Sequence, residues 1–125
     1  MYSFNVDANR NLAILVFSGQ VSVTEIREAL VKLRQEPGFH PNIDLIFDAV
    51  NVDASSITGE SVRWLETTPV TTLGRTVIIA PDALAFGLAR MFQLLRGDKS
   101  DINVVTSREE AERFLAIPRR TTLPQ

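Results

Sequence analysis

The chain carries one histidine, His40, and no cysteine. Disulfides, thiolate zinc sites and a thiol nucleophile are therefore excluded. His40 lies in Gly38-Phe39-His40-Pro41, ahead of an apolar run that reads as a strand. Ligands of open α/β sheets gather beyond the carboxyl ends of the strands, so His40 stands at the wrong end and reads as a surface-loop residue. Asp48, Asp53 and Asp82 each follow a strand end. Three carboxylates offer the hard oxygen ligands that Mg²⁺ takes, but aspartates at these positions also cap helix starts. A receiver-type site would need an acidic pair after an early strand and a lysine after the last; Gly19-Gln20 and Thr106-Ser107 occupy those points. Ser55 and Ser56 have no base close in sequence and no G-x-S-x-G elbow. Neither the Walker A nor the dinucleotide glycine pattern occurs. The expectation is a protein with no catalytic residues, no metal site and no cofactor.

With 125 residues, 45% of them apolar, the chain suits one domain with its own core. Thirteen Lys and Arg against fifteen Asp and Glu give a net charge of −2, which excludes a general pull toward nucleic acid. The opening Met1-Tyr2-Ser3-Phe4-Asn5 lacks the basic-then-apolar order of a signal peptide, and the apolar runs Leu12 to Phe17 and Ala83 to Leu88 are too short to span a bilayer. A cytoplasmic protein without stable membrane insertion is expected.

The elements that must position these residues follow from periodicity. Tyr2, Phe4 and Val6 alternate with polar neighbours, and a turn-rich Asp7 to Asn11 leads into Leu12 to Phe17, so a hairpin opens the sheet. Ser22 and Glu25 form a capping box, and Val21 and Ile26 stand at staple positions. Ile26, Ala29, Leu30 and Leu33 make one stripe, Glu28 and Lys32 an exposed i, i+4 pair, and Pro37-Gly38 the stop. Ile43 to Phe47 reads as a strand ending at Asp48, followed by a polar loop over Asn51 to Gly59 and a short helix through Val62 and Leu65. Arg75 to Ala80 is a strand, Ala83 to Arg96 a helix stopped by Gly97, and Ile102 to Val105 the last strand. Ser107 and Glu110 form a second capping box before Ala111, Phe114 and Leu115. The order β-β-α-β-α-β-α-β-α predicts an α/β fold: a mixed, mostly parallel sheet with an N-terminal antiparallel hairpin and four helices. One domain over 1–117 and a loosely held tail over 118–125 are expected.

On the helix Ala83 to Arg96, Arg90, Gln93 and Arg96 share a polar arc, and Leu84, Leu88, Met91 and Leu95 lie opposite. Phe92 and Leu94 widen the apolar arc beyond one sheet contact, and Phe86 falls in the polar arc. Two expectations follow. Phe86, Arg90 and Phe92 are candidates for a subunit or partner interface, where aromatics and Arg are enriched. Leu84, Leu88 and Met91, with Phe92, are candidates to line an apolar pocket beneath the helix.

Gly19 with the capped helix after it, Pro37 to Pro41 followed by Ile43 to Asp48, Ala85 to Phe92, and Ser107 to Leu115 are four segments with a shared order and spacing. Together they resemble the SpoIIAA-like proteins of the STAS superfamily, and more closely the small bacterial SpoIIAA-like proteins similar in fold to lipid-binding CRAL-TRIO domains. STAS antagonists carry a phosphorylatable serine in an Asp-Ser-Ser-Gly turn. Here Asp53-Ala54-Ser55-Ser56-Ile57-Thr58-Gly59 keeps the serine pair and the glycine, but Ala54 intervenes and two residues part Ser56 from Gly59. The resemblance implies Ser55, Ser56 or Thr58 as a phospho-switch at a helix start; the residues alone also read as caps. The functional expectation is a non-catalytic regulatory module, a homodimer with a possible regulatory protein partner. The alternative is a carrier of a small apolar molecule or lipid.

Overall fold

The computed structural model describes residues 1–66, 74–97 and 101–116. Strands β1 (Tyr2–Asp7), β2 (Leu12–Gly19), β3 (Asp44–Val52), β4 (Arg75–Ile79) and β5 (Asp101–Val105) form one sheet in the order β1-β2-β3-β4-β5. The β1–β2 pair is antiparallel and the other pairs are parallel. Helices α1 (Val23–Arg34), α2 (Gly59–Glu66), α3 (Ala83–Arg96) and α4 (Arg108–Ala116) connect or follow the strands, and a short 3-10 turn spans Ala54–Ser56. This is the expected α/β architecture. The expected tail at 118–125 lies outside the described residues. No helix among the described residues is long and apolar enough to cross a membrane.

Local chemistry sets the elements. Asn11, at φ +53°, closes the β1–β2 hairpin, and asparagine tolerates this left-handed conformation better than most residues. Its side chain meets His40 Nε2 at 2.5 Å, while its carbonyl accepts from Asp44 N–H at 3.0 Å. His40 thus fastens an exposed loop to the hairpin turn. Ser22 Oγ accepts the Glu25 N–H at 3.1 Å, as the capping box predicts, and the Glu25 carboxylate engages the Met1 amino group. At α4 the cap is displaced by one residue: Ser107 Oγ accepts from Glu110 N–H, but the Glu110 carboxylate reaches back to the backbone and hydroxyl of Thr106.

Because each parallel strand is added beside the last, right-handed crossovers place α1, α2 and α3 on the same face. The core there joins Ile26, Ala29, Leu30 and Leu33 of α1, Val62 of α2 and Phe92 of α3 to Ala13, Leu15 and Phe17 of β2 and Leu45 of β3. Among the described elements, helix α4 alone covers the opposite face, packing Ala111, Phe114 and Leu115 over Leu12, Ile46, Val77 and Ile79. Leu33 is fully buried, and its truncation to Ala is worth about 2–5 kcal/mol of stability.

Strand β3 runs past Asp48, the expected end, to Val52. The register shifts between Val16 and Ser18, after which Ser18 and Gly19 pair with Asn51 and Val52. Pairing with an existing strand outweighs the low strand propensity of Asp48 and Asn51. The irregularity re-aims the end of β3 and leaves Ala49 and Val52 facing the helices, at the wall of the site described next.

Candidate functional site

Between the helix-covered face of the sheet and α3 lies a cavity of about 120 Å³. Its floor is Phe17 of β2, Phe47, Ala49 and Val52 of β3, and Thr76 and Ile78 of β4. Ala85, Leu88, Ala89 and Phe92 of α3 form the roof; Val21, Ile26, Ala54, Ile57 and Val62 close the sides. Phe47, Ala49, Val52, Ile57 and Leu88 are only half-buried, so the cavity can be entered from outside.

The cavity owes its existence to small residues. Ala80, Ala85 and Ala89 are buried together with Ala54, letting α3 approach the sheet closely at one end. Bulkier Phe17, Phe47 and Phe92 hold the layers apart alongside, with the Phe17 and Phe47 rings stacked at 5.5 Å. Thr76 is the only polar side chain among the described residues that line the space. It is 1% exposed, and its Oγ1 has no hydrogen-bond partner.

The structure distributes the sequence-derived candidates differently from expectation. Leu88 and Phe92 line the cavity. Leu84 does not lie beneath the helix: it is 53% exposed. Met91 is half-buried but turns toward α2, where its Cε and Sδ would stand 3.5 and 3.7 Å from a side chain placed on Gly59. The face of α3 on the sheet is Ala85, Ala89 and Phe92, at i, i+4 and i+7, and Leu88, Met91 and Leu95 form the flank toward α2. Two intramolecular contacts thus account for the apolar arc except Leu84 and Leu94, which stay exposed. Of the interface candidates, Phe92 is buried at 8% exposure and cannot meet a partner. Phe86 is half-buried against the alanine cluster rather than standing in a polar arc. Arg90 is exposed; its Nη1 donates to Gln93 Oε1 at 2.5 Å, and Gln93 Nε2 donates to the Ile102 carbonyl at 2.6 Å.

Ser55, Ser56 and Thr58 fall at two different starts. Ser55, exposed, donates from Oγ to Asp53 Oδ1 at 2.6 Å, and Asp53 caps the 3-10 turn. Ser56 Oγ accepts from Val21 N–H at 3.0 Å and donates to the Asp53 carbonyl at 2.7 Å, bracing the entry to α1. Thr58 Oγ1 accepts the Ser61 N–H at 3.1 Å as the cap of α2.

The strand-end aspartates are held apart by separate tasks. Asp48 Oδ2 pairs with Arg108 Nη1 of α4 at 3.2 Å on the opposite face of the sheet, and Asp82 Oδ1 accepts the Ala85 N–H at 2.8 Å. No three His, Cys, Asp or Glu side chains among the described residues converge as metal ligands. On α4, Glu112 joins Arg10 to Arg108. Its partial burial raises the carboxyl pKa, but hydrogen bonds and charge from Arg10 and Arg108 outweigh this and hold it below the ordinary 4.5.

Sequence reasoning missed the contributions of Phe17, Phe47, Ala49, Ala54 and Thr76. The available signal was Thr76, a lone polar residue inside the run Thr76 to Ala80, together with the recurring alanines at 49, 54, 80, 85 and 89. Comparison of the chain with protein-family models and with curated proteins finds no match.

Proposed function

We propose that this protein is a non-catalytic binding module whose cavity holds a small apolar molecule, and that it acts by recognition rather than by making or breaking bonds. The observation that carries this reading is the 120 Å³ space walled by apolar side chains and open to entry. An apolar cavity of about 150 Å³ stays dry and takes up benzene, so a single ring or short branched chain suits this volume. Drug-sized ligands need about 300–1,000 Å³, which favours a fragment-sized ligand over the lipid that the CRAL-TRIO resemblance implies. A SpoIIAA-like, STAS-type identity agrees with the element order and remains part of the proposal.

Titration with toluene, followed by heteronuclear NMR and thermal denaturation, tests it. Saturation at about 100 times Kd raises stability by about 2.7 kcal/mol. Ala49→Leu, which fills the wall, raises the melting temperature without ligand and abolishes the toluene response. Shifts confined to surface residues, or an Ala49→Leu variant that responds like wild type, contradict the reading.

A second reading, homodimerisation through the outer face of α3, is favoured by Leu84 and Leu94, which are 53% and 72% exposed. Single apolar residues on a surface are common, so the test is direct: sedimentation at micromolar concentration shows a dimer that Leu94→Lys converts to monomer. A monomeric wild type removes this reading.

A further inference from the structure

We infer that the ligand of the cavity carries one neutral hydrogen-bonding group, a hydroxyl or a carbonyl, that meets Thr76 Oγ1; the inference rests on the cavity's being a ligand site. Across the sheet, Thr76 stands in a row that reads Val6, Ala13, Leu45, Thr76, Ile102, every other member apolar. A valine has the same shape as threonine and would suit such a row without burying a hydroxyl. Buried hydroxyls almost always have a partner. Thr76 has none, is 1% exposed and borders the cavity, and its covered Oγ1 comes within a ligand's reach through a rotation about χ1. The space beside it is the place from which a partner can come.

The walls also fix the charge of that group. No charged side chain is among the described residues that line the cavity. A carboxylate or ammonium there would lose its water without gaining a counter-ion, whereas a hydroxyl or carbonyl needs only the single hydrogen bond that Thr76 offers. One hydroxyl can donate or accept, so both ligand groups fit.

Phenol and toluene, equal in shape and differing in one hydroxyl, test this on the full chain, with Kd for each read by NMR titration. Thr76→Val weakens phenol by about fivefold and leaves toluene unchanged or slightly tighter, while Thr76→Ser restores the phenol affinity. Equal effects of Thr76→Val on the two probes, or none on either, overturn the inference while toluene binding upholds the cavity as a site. Failure of both probes to bind wild type overturns the reading on which the inference rests, and the inference with it.

Discussion

Asp44 and Arg75 stand side by side at the starts of the parallel strands β3 and β4, joined by two hydrogen bonds from one residue to the other. Asp44 Oδ1 accepts the Arg75 backbone N–H and Oδ2 accepts Nη2, each at 2.9 Å. Both side chains are largely buried, and the guanidinium also lies 5.7 Å from the Phe114 ring of α4. The pair therefore ties strand register to the docking of α4. Arg75→Met removes the guanidinium from beside the buried Asp44 carboxylate and should cost about 3–5 kcal/mol, read as a lower urea midpoint. An unchanged midpoint would show that the pair is replaceable by water.

The two serines before α2 separate by structural role. Ser56→Ala leaves the part-buried Val21 N–H without its acceptor and lowers stability by about 1–2 kcal/mol in thermal denaturation. Ser55 is exposed and, among the described residues, bonded within its own turn, so Ser55→Ala changes stability by less than about 0.5 kcal/mol. A variant pair with the opposite ranking would refute this assignment of roles.

Acid should loosen α4. The carboxyl of Glu112 is held below 4.5 in the folded protein, so the unfolded chain binds its proton at higher pH than the folded one. The stabilisation is present above the ordinary carboxylate range and is lost as pH falls through the depressed folded value. Thermal unfolding at pH 6 and pH 3.5 should show a smaller drop for Glu112→Gln than for wild type. Because Glu112 is 38% exposed, high salt should shrink the difference. Equal drops in both proteins would place the acid sensitivity elsewhere.

Asp82 is assigned to capping rather than to a metal. Asp82→Ala removes the acceptor of the Ala85 N–H and should cost about 1 kcal/mol. Millimolar Mg²⁺ should leave the melting temperature of wild type and variant alike unmoved. A Mg²⁺-dependent rise that disappears in the variant would return Asp82 to the list of ligands.

What was readable from the residues was what local chemistry decides. The capping serines 22 and 107, the α1 stripe and the Gly97 stop act over a few residues, and they place their elements in the chain. The end of β3 was not readable, because Asn51 and Val52 become strand through pairing with Ser18 and Gly19, which are remote in sequence. The buried face of α3 was misread for a related reason. Size and greasiness pointed to Leu84, Leu88, Met91 and Leu95, whereas close approach to a sheet selects small side chains such as Ala85 and Ala89. The cavity was legible only in part: Leu88 and Phe92 of the expected pocket line it, but its walls are set by where the sheet and α3 fail to touch.

The strand order has a consequence for how the molecule is assembled. Each new strand attaches to an edge just completed, so no strand has to be threaded between two already in place. The early part of the chain can organise while the remainder is still being made. Among the described residues, α4 reaches back to the first turn: Arg10 Nη2 donates to Glu112 Oε2 at 2.6 Å, 102 positions along the chain. A nascent or clipped chain that stops before α4 lacks that clasp, so its presence reports that α4 has docked.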